Sequence, residues 1–186
     1  MSTRSNVLIN LGDTKLYLYR HCDGYPGANG ADLAEKLIKH KNCGKAFIND
    51  LLAERYDATE YNPERPVWEV TTGLHGDIEW LYVFDMTDAN FGDRPVIVKV
   101  IERAHSEDAA DIPWPMIVEE DIEKAKDIGL EGLIKMVNLD RAEMNSYSAK
   151  NVLKCLKSGE NLGYANNAGF YDLIKIPEEE KLEEVV

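Results

Sequence analysis

A chain of 186 residues, 44% of them hydrophobic, is long enough for one domain with a packed core. Its 34 acidic residues outweigh 21 basic ones and leave a net charge of −13, which repels phosphate backbones and argues against direct nucleic-acid binding. No apolar run reaches roughly 18 residues and the opening MSTRSNVLIN lacks a signal-like apolar stretch, so a cytoplasmic protein with no membrane segment is expected.

Two β-rich runs, NVLINLG and KLYLYRH, separated by Asp13 and Thr14 with Gly12 marking the bend, read as a hairpin. Leu16 and Leu18 alternate with Tyr17 and Tyr19. After the loop CDGYPGANG, Leu33, Leu37 and Ile38 mark one face of a helix that Gly44 is placed to end. Phe47, Ile48, Leu51 and Leu52 repeat the pattern in a second helix. The breaker NPERP precedes VWEVTTG and DIEWLYVFDM, which read as a second hairpin around LHG. In the latter run Ile78, Trp80, Tyr82 and Phe84 share one face, opposite Glu79, Leu81, Val83 and Asp85. GDRPVIVKVIERA supplies a fifth strand.

Beyond it, HSEDAADIPWP reads as a linker. VEEDIEKAKDIG is a helix opening with acids at its positive end, LEGLIKMVNL a second, and SYSAKNVLKCLKSG a third with Ser148 as cap and Gly159 as stop. GFYDLIKI is a candidate last strand, and PEEEKLEEVV a solvated acidic tail. The organisation expected is an α+β core over 1–104, a linker over 105–115, a helical part over 116–176 and the tail over 177–186. The fold expected is a mostly antiparallel sheet of about five strands with helices on one face, plus the helical C-terminal part.

The chemistry-bearing residues gather at the two turns. Arg20, His21, Asp23, His75 and Asp77 would form one polar patch if the hairpins pair within one sheet. Such a group either satisfies itself and fixes loop geometry or recognises a phosphate or charged group. The Arg20-His21 pair at a strand end is similar to the nucleophile motif of histidine phosphatases, but Cys22 follows where that family has glycine, and the reading in hairpins departs from its parallel sheet. His21-x-Asp23 and His75-x-Asp77 have carboxylate–imidazole spacing for zinc or iron, yet both adjoin glycines, where turn bonding is the simpler role. Cys22, Cys43 and Cys155 lack C-x-x-C spacing and read as reduced thiols; the pairing of Cys22 with the adjacent His21 is weak because neighbours on a strand face opposite ways. Tyr17, Tyr19, Tyr25, Trp68, Trp80 and Tyr82 read as packing aromatics rather than as a base-stacking platform, since no basic groove accompanies them. No nucleophile elbow, P-loop or dinucleotide fingerprint occurs, and no cofactor or metal is expected.

MSTRSNV, YLYRHCDGYP and VTTGLHGDIEWLYVFD together resemble a family of small proteins of phages, prophages and other bacterial mobile elements. The likeness spans about residues 1–86 and rests on Arg4, Tyr19, Arg20, His21, Asp23, Gly24, Tyr25, Pro26, Gly73, His75, Gly76, Asp77 and Tyr82. It implies a setting and no reaction.

Charge decides what that setting would mean. Residues 1–104 carry 12 basic and 16 acidic side chains, and 105–186 carry 9 and 18, so most of the excess lies in the second part. The reading is a non-enzymatic acidic protein that binds a basic host protein, such as a nuclease of a defence system, in the manner of a CRISPR inhibitor. Glu119, Glu120, Asp121 and Glu123 are its candidate contact residues. The alternative is a small hydrolase or phosphoryl-binding enzyme built on the polar cluster, with His21 and His75 as catalytic groups.

Overall fold

The two runs flanking Gly12 do form a hairpin. In the computed structural model, which describes residues 3–40, 43–58, 63–87, 96–103, 116–158 and 171–175, strand β1 (Ser5–Asn10) pairs antiparallel with β2 (Lys15–Arg20). Gly12 makes the bend at φ 83°, a region glycine enters without a Cβ penalty. One π-helical turn (Pro26–Gly30) then leads into α1 (Ala31–His40) and α2 (Gly44–Ala53). Gly44 is therefore the first residue of the second helix and not the stop of the first. Phe47 lies near the start of the apolar pattern and needs a helical turn ahead of it, made when its N–H bonds the Cys43 carbonyl at 3.0 Å.

A two-residue ladder, β3 (Arg55–Tyr56) with β4 (Arg65–Pro66), precedes β5 (Glu69–Thr71), β6 (Trp80–Asp85) and β7 (Ile97–Glu102). The main sheet runs β5-β2-β1-β6-β7, antiparallel at every pairing except the parallel β1–β6. The expected second hairpin does not exist. β5 lies at one edge beside β2, and residues 72–79 carry the chain across a sheet face to β6 on the far side of β1. The cause is legible in β6 itself: Leu81, Tyr82, Val83 and Phe84 are all at most 3% exposed, and a strand apolar on both faces belongs inside a sheet.

The sheet consequently has two covered faces. On one, Val7, Ile9, Leu18, Tyr82, Phe84 and Val98 pack under α1, α2 and the long helix α4 (Gly129–Ser158), with Phe47 set against Phe84 at 5.3 Å between ring centroids. On the other, Leu8, Tyr17, Tyr19, Leu81 and Val83 lie beneath the crossing loop and the short α3 (Glu119–Lys124). Ile78 precedes β6 and joins this second cluster, not the face of Tyr82 and Phe84 as alternation implied.

The two helices expected beyond residue 129 are one helix of 30 residues. Ser148 is not a cap; it is a buried position in the interior of α4. No glycine or proline interrupts 133–158, so weak helix formers alone do not stop it. Leu133, Ile134 and Val137 of α4 belong to the same hydrophobic cluster as β1 and β6. Residues 171–175 of the expected last strand form no strand; they lie along α4. The linker at 105–115, Gly159 and the tail at 177–186 lie outside the described residues. Among the described residues, no helix is long and apolar enough to cross a membrane.

Candidate functional site

Tyr19 and His21 are two residues apart at the end of β2 and so project to the same side of the sheet. There the crossing loop brings His75 and Asp77 to them. Asn6, fully buried on β1, fixes the approach: its Oδ1 accepts the His75 N–H at 2.9 Å while its Nδ2 donates to the Leu18 carbonyl at 2.9 Å. The Arg4 carbonyl receives the N–H groups of Glu79 and Trp80 at 2.9 and 3.3 Å, closing the loop.

The resulting corner is centred on the Tyr19 ring. His75 stacks on it at 3.9 Å and 17°, and His21 meets it edge-on at 4.6 Å and 80°. Each imidazole faces a carboxylate, His75 Nδ1 at 4.0 Å from Asp77 and His21 Nε2 at 3.4 Å from Glu69. Asp77 also takes the Tyr19 hydroxyl, 3.3 Å from both its oxygens, and the Arg4 guanidinium at 3.1 Å. Burial first, then the Asp77 charge, holds the Tyr19 phenol above its ordinary pKa. This arrangement can hold its own charges in balance, and it can also present two partly exposed imidazoles over a buried phenol.

Arg20 and Asp23 are not part of that corner. Arg20 faces the opposite side, where Nε donates to the Cys22 carbonyl at 3.0 Å, Nη1 donates to Asn29 Oδ1 at 3.2 Å, and the guanidinium lies 5.5 Å from the Trp68 ring centroid and 3.7 Å from Asp32. Asp23 occupies a left-handed turn at φ 56°, where its carbonyl accepts the Asn29 N–H at 3.1 Å. The alternation that set Tyr17 against Leu18 separates Arg20 from His21 in the same way. The Cys22 thiol meets the Tyr56 hydroxyl at 3.3 Å rather than His21.

Beside Arg20 lies a second charged group that the sequence did not single out. Asp32 pairs with Lys36, Lys36 with Glu54 at 3.3 Å, and the Trp68 indole donates to Glu54 at 3.1 Å. Burial pulls the Lys36 ammonium down, but its bonds to Asp32 and Glu54 outweigh that and leave its pKa raised. The Asp32-to-Lys36 spacing of one helical turn was the available signal. For the first corner, Arg4 and Glu69 went unnoticed as participants because each comes from a separate strand or strand end.

Compared with protein families, curated proteins and solved structures, this chain matches none.

Three of the four acidic residues of α3, Glu119, Glu120 and Asp121, are each held by a partner. Glu119 accepts the Tyr17 hydroxyl at 2.7 Å and faces Lys15 at 3.4 Å, contacts that lower its carboxyl pKa, while burial and this carboxylate raise Tyr17 to about 12. Asp121 Oδ2 accepts the Val118 N–H at 2.9 Å, Glu120 pairs with Lys124 at 2.8 Å, and Glu123 faces solvent. Among the described residues, no group of three His, Cys, Asp or Glu side chains is arranged to hold a metal.

Proposed function

We propose that this protein is an acidic binding protein that occupies a basic surface of a nucleic-acid-handling host protein, in the setting of a phage or mobile element that the first 86 residues imply. The observation that carries the reading is charge: a net −13 on a 186-residue chain gives a long-range field complementary to a nucleic-acid channel. Helix α3 gives that charge a fixed local form. Tyr17 and Lys15 hold Glu119, Lys99 Nζ donates to the Ile122 carbonyl at 2.8 Å, and Glu120 and Glu123 stay exposed on the anchored helix. A carboxylate already held in place, as Glu119 is, loses little side-chain entropy when a partner docks.

The test is capture from bacterial lysate at low and high salt, comparing the protein with an E120K/E123K variant and with His21→Ala and His75→Ala. A basic nucleic-acid-handling protein retained at low salt, released at high salt and lost only by the α3 variant is the expected result. Retention by the α3 variant together with loss by the histidine variants would sink this reading and move function to the Tyr19 corner.

A further inference from the structure

Three residues of α4, Asn138, Arg141 and Asn145, are spaced three and four apart and therefore share one helix face. All three bond the main chain of residues 171–175. Asn145 Oδ1 accepts the Tyr171 N–H at 2.8 Å and its Nδ2 donates to the Tyr171 carbonyl at 2.9 Å. Asn138 treats Ile174 identically, with 2.9 Å in each direction. Between them, Arg141 Nη1 donates to the Asp172 carbonyl, while its Nε donates to the Gly27 carbonyl at 2.8 Å. A carboxamide carries one acceptor and a donor pair side by side, so it satisfies both polar groups of a residue in an extended peptide without reading its side chain.

Side-chain reading is confined to two positions. Tyr171 lies under Arg141, with the guanidinium 5.7 Å from its ring, and hydrogen-bonds with Tyr25; Ile174 packs against the main core. Asp172, Leu173 and Lys175 face solvent. A segment held largely by main-chain hydrogen bonds, with three of its five side chains outside, is expected to open at a cost below that of global unfolding.

We propose that the Asn138–Arg141–Asn145 row is a binding site for an extended peptide of a partner protein bearing an aromatic residue and, three positions later, a branched aliphatic one. Residues 171–175 occupy this site in cis. The site is built of carboxamides and one guanidinium, so it stands independently of the acidic-surface reading. A tethered occupant acts at an effective concentration of the order of millimolar, and a partner peptide competes against it.

The probe is a fluorescent peptide with the sequence GFYDLIKI, read by anisotropy against the full chain. A Y171A/I174A variant, which weakens the internal occupant and leaves the row intact, is expected to bind it roughly tenfold more tightly than the unaltered chain. Adding N138A/N145A is expected to remove that binding. Absence of saturable binding by a folded Y171A/I174A chain, or undiminished binding after the asparagine substitutions, overturns the proposal. Should Y171A/I174A fail to fold, amide exchange of the unaltered chain decides: faster exchange at Tyr171 and Ile174 than at Leu133 supports the proposal, and exchange only through global unfolding overturns it.

Discussion

Asp50 shows how a single side chain ties this fold to pH. It accepts Lys39 and His40, each at 2.8 Å, and these hydrogen bonds lower its carboxyl pKa from 3.8 to about 2. A carboxyl depressed in the folded state stabilises the protein above its ordinary pKa, and the contribution disappears as pH falls from 3.8 towards 2. In Asp50→Asn, urea-unfolding free energies measured across that window are expected to vary less with pH than in the unaltered chain; an unchanged slope would show that the pair contributes nothing. Neither partner was visible as such in the sequence, because Lys39 and His40 end α1 while Asp50 sits in α2. Their meeting depends on how two helices pack, and no local pattern encodes that.

At the scale of elements, the stretch CDGYPGANG is the place where strand, turn and long helix are joined. The Gly24 N–H donates to the Thr3 carbonyl at 3.0 Å, and the Gly24 carbonyl receives the buried Tyr82 hydroxyl at 2.9 Å. Three residues on, the Gly27 N–H donates to Asp140 of α4 at 2.5 Å. A Cβ at Gly24 would lie 2.7 Å from the Arg4 carbonyl carbon and 2.9 Å from the Ser5 nitrogen, both backbone atoms beside or in a central strand. Gly24→Ala is therefore expected to cost about 1–3 kcal/mol of stability in denaturant unfolding; a loss of a few tenths would mean that the turn gives way easily. The first hairpin and the existence of α1, α2 and β7 were legible because each has its own period or turn chemistry. The partner of β5 was not. Whether a strand pairs with its chain neighbour or crosses over depends on which sheet position buries both faces of the next strand, and that is a competition between distant elements.

For the whole molecule, the shared core makes a thermodynamic prediction. Leu133 is fully buried in the cluster that contains Val7, Ile9 and Tyr82, so α4 and the sheet are expected to unfold together. Leu133→Ala is expected to lower stability by about 2–5 kcal/mol while tryptophan fluorescence and far-ultraviolet circular dichroism still report coincident transitions. Separate transitions, with helix lost before the tryptophan signal, would show that α4 is an independent unit.

What the amino-acid sequence determined by itself is the α+β class, the approximate number of strands, the first hairpin and the strongly acidic balance. These follow from local periodicity and composition, which need no knowledge of neighbours. Only the tertiary structure decided the parallel β1–β6 pairing, the continuity of α4 past Ser148 and the division of the polar residues into two groups. Arg20 and His21 are adjacent in the chain and end on opposite faces of a sheet, while Arg4, Tyr19, Glu69 and Asp77 are scattered in the chain and meet at one corner. Strand alternation separates neighbours and a crossing loop unites strangers; the first is a rule of two residues, and the second exists only once the sheet has been assembled.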